Sequence, residues 1–413
     1  MTKKTSVIGK PMLGAALCAL LALASCSNDN SQNTTAVPAA QIGGSILYVN
    51  EYGQPVPSFT PAEMKEAGFD YADLINVQIG DSIHLTNIPY LTSFNEAGIL
   101  SLVYVDYNAR GDNYGFGMLN GDFHYYVGGE EADSVTMTLA VKGGYQKTYE
   151  LLKSVYPEER RAGEMAEEYA NFRPVTTTGM APGVLYRSSN PLNIRDNSGR
   201  CTVADSLAQA VGIKTEIDLA DTPERIASYR TYIGYGTPYC LQLYDAGNTM
   251  ACGMMANTFG EDFKEKMGKA VKFMIEKEPP YLIHCNEGKD RCGFVSMLFE
   301  VLAGAGIDEL RRDYMVTMLN FYKIEDGGES YRLRQRLSID RMMWLLCHEE
   351  MLKNYMSIDW DKMEFSDNDM EGNSLYQISR KTLQQAARKY LEECGLTDEE
   401  CDTFCKILTT GKK

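Results

Sequence analysis

One short segment, residues 281–294 (YLIHCNEGKDRCGF), limits the folds available to this chain more than any other. Its first four residues have the composition of a buried strand, and the apolar run after Cys292 predicts a helix. Gly288 and Gly293 occur where the backbone must curl and then pack closely. The pattern predicts a strand that ends at Cys285, a tight loop, and a helix that begins near Arg291.

This loop combines residues that can hold and attack an anion. A loop that turns into a helix N-terminus directs successive N–H groups inward, and the helix dipole adds positive charge there. Together with Arg291, both effects favour the nucleophilic thiolate form of Cys285. The guanidinium fork of Arg291 can bind two phosphate oxygens. We therefore expect Cys285 to attack phosphorus and form a phosphocysteine, which water then hydrolyses.

The chain alternates between strands and helices after residue 171. Residues 183–189 (GVLYRSS) predict a strand and a loop, and residues 206–220 (SLAQAVGIKTEIDLA) predict a helix, a glycine turn and a strand. Residues 262–285 predict a long amphipathic helix, a Pro-Pro break and the buried strand. This order predicts an α/β fold with a central, partly parallel sheet flanked by helices, followed by a helical tail from about residue 307.

The preceding part of the chain has the composition of a β-rich module. We assign residues 45–145 to it, with a hairpin that turns at Gly80-Asp81 and one short helix that begins at Thr60. Residues 146–170 are charged and predict a helical connector. A second domain, with its helical C-terminal extension, would comprise residues 146–413.

The N-terminus predicts an export signal. A lysine-rich start is followed by an apolar stretch that is too short to span a membrane comfortably and ends in Leu-Ala-Ser-Cys, similar to the lipobox of bacterial lipoproteins. We expect residues 1–25 to be a signal peptide, Cys26 to be lipidated and residues 26–44 to be a flexible tether. The chain would be exported and anchored by lipid to the periplasmic face or cell surface. An ordinary cleaved signal peptide is the alternative.

The formal net charge of −16 excludes some partners. Such a surface does not suit nucleic acid, and we expect contact with a membrane only through the lipid anchor. An anionic substrate must therefore be bound by a local positive site. With four histidines and no Cys-x-x-Cys pair among eleven cysteines, we predict no metal site and no cofactor.

The loop resembles the active-site loop of the tyrosine phosphatase superfamily. Residues 284–293 (HCNEGKDRCG) are similar to a bacterial branch with the pattern His-Cys-x-x-Gly-Lys-Asp-Arg-x-Gly, which includes tyrosine, dual-specificity and atypical lipid phosphatases. Three upstream segments also resemble this branch: residues 171–175 (NFRPV), 183–191 (GVLYRSSNP) and 212–224 (GIKTEIDLADTPE). The resemblance covers residues 165–325 and implies a phosphatase domain.

The resemblance implies a role for each matching residue. Cys285 would be the nucleophile, His284 would hold the loop and tune the thiolate, and Arg187 would support the loop. Lys289 would contact the phosphate or a second anionic group of the substrate. The residues expected to surround the phosphate are Asn286, Glu287, Gly288, Lys289 and Arg291.

Two aspartates are candidates for the general acid. Asp290 is the first, because the resembled branch places its acid within the loop. Asp218 is the alternative, because it ends a strand that is expected to lie beside Cys285.

Several residues depart from the pattern of the branch. Pro174 and Ala220 replace an aspartate and an arginine, and Glu287 places an acid in an anion loop, where it must point outward or repel some substrates. Cys292 replaces a residue that is usually Thr, Ser or Ala. A hydroxyl there stabilises the leaving thiolate and a thiol donates more weakly, so we expect slower hydrolysis of the intermediate. Cys292 either packs as a small buried side chain or forms a reversible disulfide with Cys285 under oxidation.

The predicted substrates are phosphate monoesters, with phosphotyrosine or phosphoprotein favoured. Phosphoinositides and inositol phosphates are the alternative substrates. A surface lipoprotein that binds without catalysis is the alternative function.

Overall fold

The structure is a computed structural model, and it describes residues 40–94, 97, 100–105, 113–119, 121–153, 159–194, 198–232, 237–351, 358–370 and 374–412. The predicted signal peptide, the lipidation site Cys26 and most of the predicted tether lie outside this part of the chain. No helix within it is long and apolar enough to cross a membrane.

The N-terminal part is built on a β-sheet. Its elements are β1 (Gln41–Val49), β2 (Pro55–Pro57), α1 (Pro61–Glu66), β3 (Leu74–Ile79), β4 (Ile83–Leu91), β5 (Leu100–Val105), β6 (Asn113–Met118), α2 (Phe123–Tyr126) and β7 (Ser134–Val141). Among the described residues the strands follow the order β2-β1-β7-β3-β4-β5-β6. Neighbours are antiparallel except β4 and β5.

Two local predictions for this part are confirmed. Thr60 caps α1 in a reciprocal capping box with Glu63, and β3 and β4 form the hairpin around Gly80-Asp81. The first strand, however, begins at Gln41, inside the segment predicted to be a tether. Backbone pairing with β7 forms this extension, which needs no alternation of apolar side chains.

The α/β part begins with two short helices. Its elements are α3 (Gln146–Leu152), α4 (Ala166–Tyr169), β8 (Arg173–Pro174), β9 (Leu185–Ser188), α5 (Arg200–Val211), β10 (Thr215–Asp218), α6 (Pro223–Tyr229), α7 (Tyr239–Asp245), β11 (Thr249–Ala251), α8 (Glu261–Glu276), β12 (Tyr281–His284) and α9 (Asp290–Ala303). The predicted connector helix over residues 146–170 is wrong as a continuous element. Gly163, with φ of 82°, lies in a turn between α3 and α4.

The second sheet is the predicted, partly parallel one. Its order within the described residues is β11-β10-β12-β9-β8, and only β8 runs antiparallel to its neighbour. His284 is paired with Asp218 on one side and with Ser188 on the other. Because the strands are parallel, their carboxyl ends meet at one edge, which is where ligands bind in sheets of this kind.

The C-terminal part is mainly helical, as predicted. It contains α10 (Ile307–Asn320), α11 (Glu329–Gln335), a π-helical turn (Arg336–Asp340), α12 (Arg341–Cys347), β13 (Glu364–Ser366), β14 (Gln377–Ser379), α13 (Arg380–Glu393) and α14 (Asp398–Thr410). The short parallel pair of β13 and β14 was not predicted. Thr397 caps α14 in the predicted capping box.

Both parts contribute to one hydrophobic core. Residues Ala39–Lys413 form one compact unit, in which Ile75 and Met137 of the N-terminal sheet belong to the same buried cluster as Phe294 of α9. The domain boundary near residue 145 stays a prediction.

Candidate active site

Cys285 lies directly after β12, at the edge where the parallel strands end. All four residues of β12 are buried, and Cys285 is only 3% exposed. Helix α9 begins five residues later and is buried along most of its length, as the apolar sequence predicts. The strand and the helix therefore fix both ends of the loop, residues 285–289, within the core.

The carbonyl groups of the loop are held from outside it. The N–H of Asn190 donates to the Asn286 carbonyl at 3.2 Å, and Asn171 Nδ2 donates to the Glu287 carbonyl at 3.0 Å. Arg187 Nη2 donates to the Gly288 carbonyl at 2.7 Å. In a planar trans peptide the C=O and the following N–H point in opposite directions. These contacts therefore direct the next N–H groups toward the inside of the loop, as an anion cradle requires.

Gly288 in the loop and Gly293 in α9 are both required by close contacts. Gly288 has φ of 74°, and a Cβ there would lie 2.5 Å from the Ser188 carbonyl oxygen. A Cβ at Gly293 would lie 2.5 Å from the Tyr314 ring. The predicted curl and close packing are confirmed.

A buried ionic network supports Arg187 beneath the loop. Asp313 of α10 accepts from Arg187 Nη1 at 2.5 Å and from Arg173 Nε at 3.2 Å. Arg173 also donates to Asn171 Oδ1 at 2.7 Å, which orients the amide that holds the Glu287 carbonyl. Asn171 and Asp313 were missed as site residues. Asn171 lies in the segment 171–175 that resembles the phosphatase branch, which was the available signal, whereas Asp313 lies in no local motif and meets its partners only through tertiary packing.

The network leaves positive charge beneath the loop. Burial alone would raise the pKa of Asp313, but Arg173 and Arg187 hold that pKa below its ordinary value. Burial and then Asp313 raise the pKa of the neighbouring Glu300 well above its ordinary value. The guanidinium groups of Arg173 and Arg187 share the single carboxylate of Asp313, and positive charge at this position favours an anion above it.

Arg291 lies in the first turn of α9, as predicted. Its Nη1 donates to the Met254 carbonyl at 2.8 Å and to the Leu219 carbonyl at 3.4 Å. Both contacts use Nη1, so among the described residues the edge formed by Nε and Nη2 can bind an anion. The arginine is thereby held in place before a ligand binds.

His284 is completely buried between two carboxylates. Its Nε2 lies 3.1 Å from Glu216 Oε1, and its Nδ1 lies 3.8 Å from Asp218 Oδ1. Burial lowers the pKa of His284, but Asp218 and Glu216 together raise it above its ordinary value. The two carboxylates therefore favour the charged form of the imidazole in the residue that directly precedes Cys285.

The two candidate acids occupy different environments. Asp218 is fully buried, and its Oδ1 accepts from the N–H groups of Ala220 and Asp221, both at 2.9 Å. Burial raises the pKa of Asp218 to about 7. The side chain of Asp290 is 37% exposed in the first turn of α9, with Oδ2 3.5 Å from Lys289 Nζ.

Glu287 and Lys289 form a group with a residue that the sequence did not single out. Lys289 Nζ donates to the Tyr322 hydroxyl at 2.6 Å and lies 3.6 Å from Glu287 Oε2. The Tyr322 hydroxyl in turn donates to Glu287 Oε2. We call Glu287, Lys289 and Tyr322 the rim group.

Cys292 is buried behind the loop. Its Sγ donates to the Ile283 carbonyl at 3.5 Å, and burial raises the pKa of the thiol to about 11. Cys285 and Cys292 are both free thiols in this structure. The disulfide between them stays a prediction.

An anion cradle and a thiol in the same loop define the class of protein, which is a cysteine-type phosphatase. The family is identified from the sequence of the C-terminal part as a whole. A family model described as the tyrosine phosphatase family matches residues 166–410, well over half of the chain, and the chain belongs to that family. No curated protein matches the chain.

Two solved structures resemble parts of the chain. An uncharacterised conserved protein from Thermotoga maritima is 14% identical, with a TM-score of 0.21, and the match covers 24% of this chain and 37% of that one. This chain thus spans little more than a third of that protein. The core catalytic domain of the PP-IP phosphatase SIW14 from S. cerevisiae, in complex with citrate, is 17% identical, with a TM-score of 0.23. That match covers 46% of this chain and 100% of the other.

Proposed function

We propose that this protein hydrolyses phosphate monoesters through a phosphocysteine intermediate, with phosphotyrosine or phosphoprotein side chains as substrates. The observation that carries the proposal is the outward anchoring of the Asn286, Glu287 and Gly288 carbonyls around Cys285. It prepares N–H groups for phosphate oxygens without reorganisation during the reaction.

The first chemical step transfers the phosphoryl group to the enzyme. The Cys285 thiolate attacks phosphorus opposite the leaving oxygen, so an S–P bond forms as the O–P bond breaks. Arg291 and the loop N–H groups bind the remaining phosphate oxygens. Asp290 donates a proton to the leaving oxygen, which departs as an alcohol or phenol. Asp290 suits this role because it is accessible, whereas Asp218 is buried and already accepts two backbone N–H groups.

The second step releases phosphate. Asp290, now a carboxylate, takes a proton from water as the water oxygen attacks phosphorus. The S–P bond breaks, inorganic phosphate leaves, and the Cys285 thiolate is restored. His284 and the charge beneath the loop stabilise that thiolate.

The decisive experiment is a phosphate-release panel with wild type and Cys285→Ser. The panel contains phosphotyrosine and phosphoserine peptides, a phosphoinositide and an inositol phosphate. We expect release above the Cys285→Ser background, greatest for the phosphotyrosine peptide. Greatest release from the phosphoinositide or inositol phosphate would establish the alternative substrate class. Release no greater than the background for every member would leave the binding lipoprotein as the function.

We also propose that the protein is exported and anchored through lipidated Cys26. The support is the sequence pattern alone. Cell fractionation with a radiolabelled fatty acid tests it, because Cys26→Ser should lose both the label and the membrane association. Retention of label in Cys26→Ser would overturn the anchor.

A further inference from the structure

The Tyr322 hydroxyl links Glu287 to Lys289 with defined polarity. An ammonium group can only donate a hydrogen bond and a carboxylate can only accept one. The hydroxyl therefore accepts from Lys289, at 2.6 Å, and donates to Glu287. Tyr322 is 4% exposed, so its position is fixed by packing.

Lys289 is held by more than this hydroxyl. Its Nζ lies 4.8 Å from the centre of the Tyr322 ring, within the range of a cation–π contact. Carboxyl oxygens of Glu287 and Asp290 lie 3.6 Å and 3.5 Å from the same atom. The side chain of Lys289 is 11% exposed. The lysine is thus largely neutralised and enclosed by protein groups.

The carboxylate of Glu287 stands at the accessible side of the loop. Its side chain is 29% exposed, and the residue is two positions from Cys285. A substrate with a second phosphate next to the cleaved ester brings that phosphate toward the loop. It would meet the fixed negative charge of Glu287 and compete with it for Lys289.

We propose that Glu287 is a specificity-determining residue that disfavours substrates with a phosphate next to the cleaved ester. Tyr322 fixes the carboxylate, and the carboxylate occupies Lys289. A substrate with a single phosphate on a protein side chain has no second phosphate for Glu287 to repel, and it does not need Lys289 to bind one. This inference rests on the proposed function and deepens it.

The test compares two substrates in each variant. One is a phosphotyrosine peptide, and the other is an inositol phosphate with phosphates on adjacent carbons. Glu287→Gln keeps the side-chain shape and removes the charge. We expect the ratio of kcat/KM for the inositol phosphate to that for the peptide to rise about tenfold. An unchanged ratio overturns the proposal.

A second variant distinguishes the release of Lys289 from a general change in charge. Lys289→Met added to Glu287→Gln should remove the gain, because the freed lysine is what binds the second phosphate. Glu399→Gln, which removes one exposed carboxylate from α14, should leave the ratio at the wild-type value. If the kcat/KM ratio rises equally in Glu399→Gln, the effect is one of net charge and the proposal is overturned.

Binding separates this inference from the proposed function. Calorimetry measures the affinities for both substrates in Cys285→Ser and in Cys285→Ser/Glu287→Gln. The ratio of the affinity for the inositol phosphate to that for the peptide is thereby obtained without turnover. A tenfold shift in this binding ratio supports the inference even if the enzyme releases no phosphate. An active enzyme with no shift in either ratio overturns the inference alone.

Discussion

The two sides of the Cys285 loop are held by different kinds of contact. Beneath it, Asn171 and Arg187 are fully buried, and the side chain of Asp313 is 10% exposed. Above it, the side chains of Glu287 and Asp290 are 29% and 37% exposed. A buried charge must be paired, whereas an accessible charge can exchange its partner for water or substrate. Substitutions of the buried residues beneath the loop should therefore affect the stability of the fold. Substitutions of the accessible residues above the loop should affect catalysis.

We expect the largest effect on stability from a substitution in the ionic network beneath the loop. Asp313→Ala leaves Arg173 and Arg187 buried without their shared carboxylate. We expect the free energy of unfolding to fall by about 3–5 kcal/mol, measured by urea denaturation. Asp308→Ala is the matched control on the same helix, since its side chain is 76% exposed in a contact with Arg311. It should cost less than about 1 kcal/mol. Equal losses of unfolding free energy in Asp313→Ala and Asp308→Ala would contradict the contrast between the buried and the exposed aspartate.

Above the loop, Asp290→Asn should preserve the fold and impair catalysis. The amide cannot protonate the leaving oxygen, so kcat should fall by about 10²- to 10⁴-fold for substrates with poor leaving groups. An aryl phosphate with a good leaving group should lose far less, and the unfolding midpoint should stay near that of wild type. If Asp218→Asn alone shows this dependence on the leaving group, the acid is Asp218.

The pH dependence of stability provides a third test of the buried side. Folding raises the pKa of Asp218 to about 7 and also raises that of His284, so the folded state binds these protons more tightly than the unfolded state. Their contribution to stability should therefore fall as pH rises from about 4 to above 7. Denaturation at pH 5 and pH 8 should show a loss in wild type that exceeds the loss in Asp218→Asn by about 1–3 kcal/mol. Identical losses would show that this cluster does not titrate as described.

The smallest expected effect is at Cys292. Serine in its place supplies a stronger donor, which stabilises the departing Cys285 thiolate. Hydrolysis of the phosphocysteine should accelerate about threefold to tenfold, measured by burst kinetics with an aryl phosphate. Cys292→Ala controls for the loss of the thiol. If hydrolysis of the phosphocysteine is no faster in Cys292→Ser than in wild type, the serine hydroxyl donates to the Ile283 carbonyl, as the thiol does.

The local features of the site could be predicted because neighbouring residues cause them. Strand β12, the curl at Gly288 and the start of α9 follow from hydrophobic pattern and glycine placement within one short segment. Where the hydrophobic pattern is weak, the sequence misleads. Residues 146–170 have the pattern of one helix, which a turn at Gly163 interrupts, and β1 begins at Gln41, before the strand that the pattern predicts.

The sequence by itself determined which groups the loop contains: a thiol, an arginine and a helix N-terminus in one segment. Only the tertiary structure decided what surrounds them. Asn171 is 116 residues from Glu287, and Arg187 is 126 residues from Asp313. Local periodicity carries no signal over such separations, because the sheet and α10 bring these side chains together by packing. The neutralisation of Lys289 by Tyr322 and Glu287 depends on that same packing.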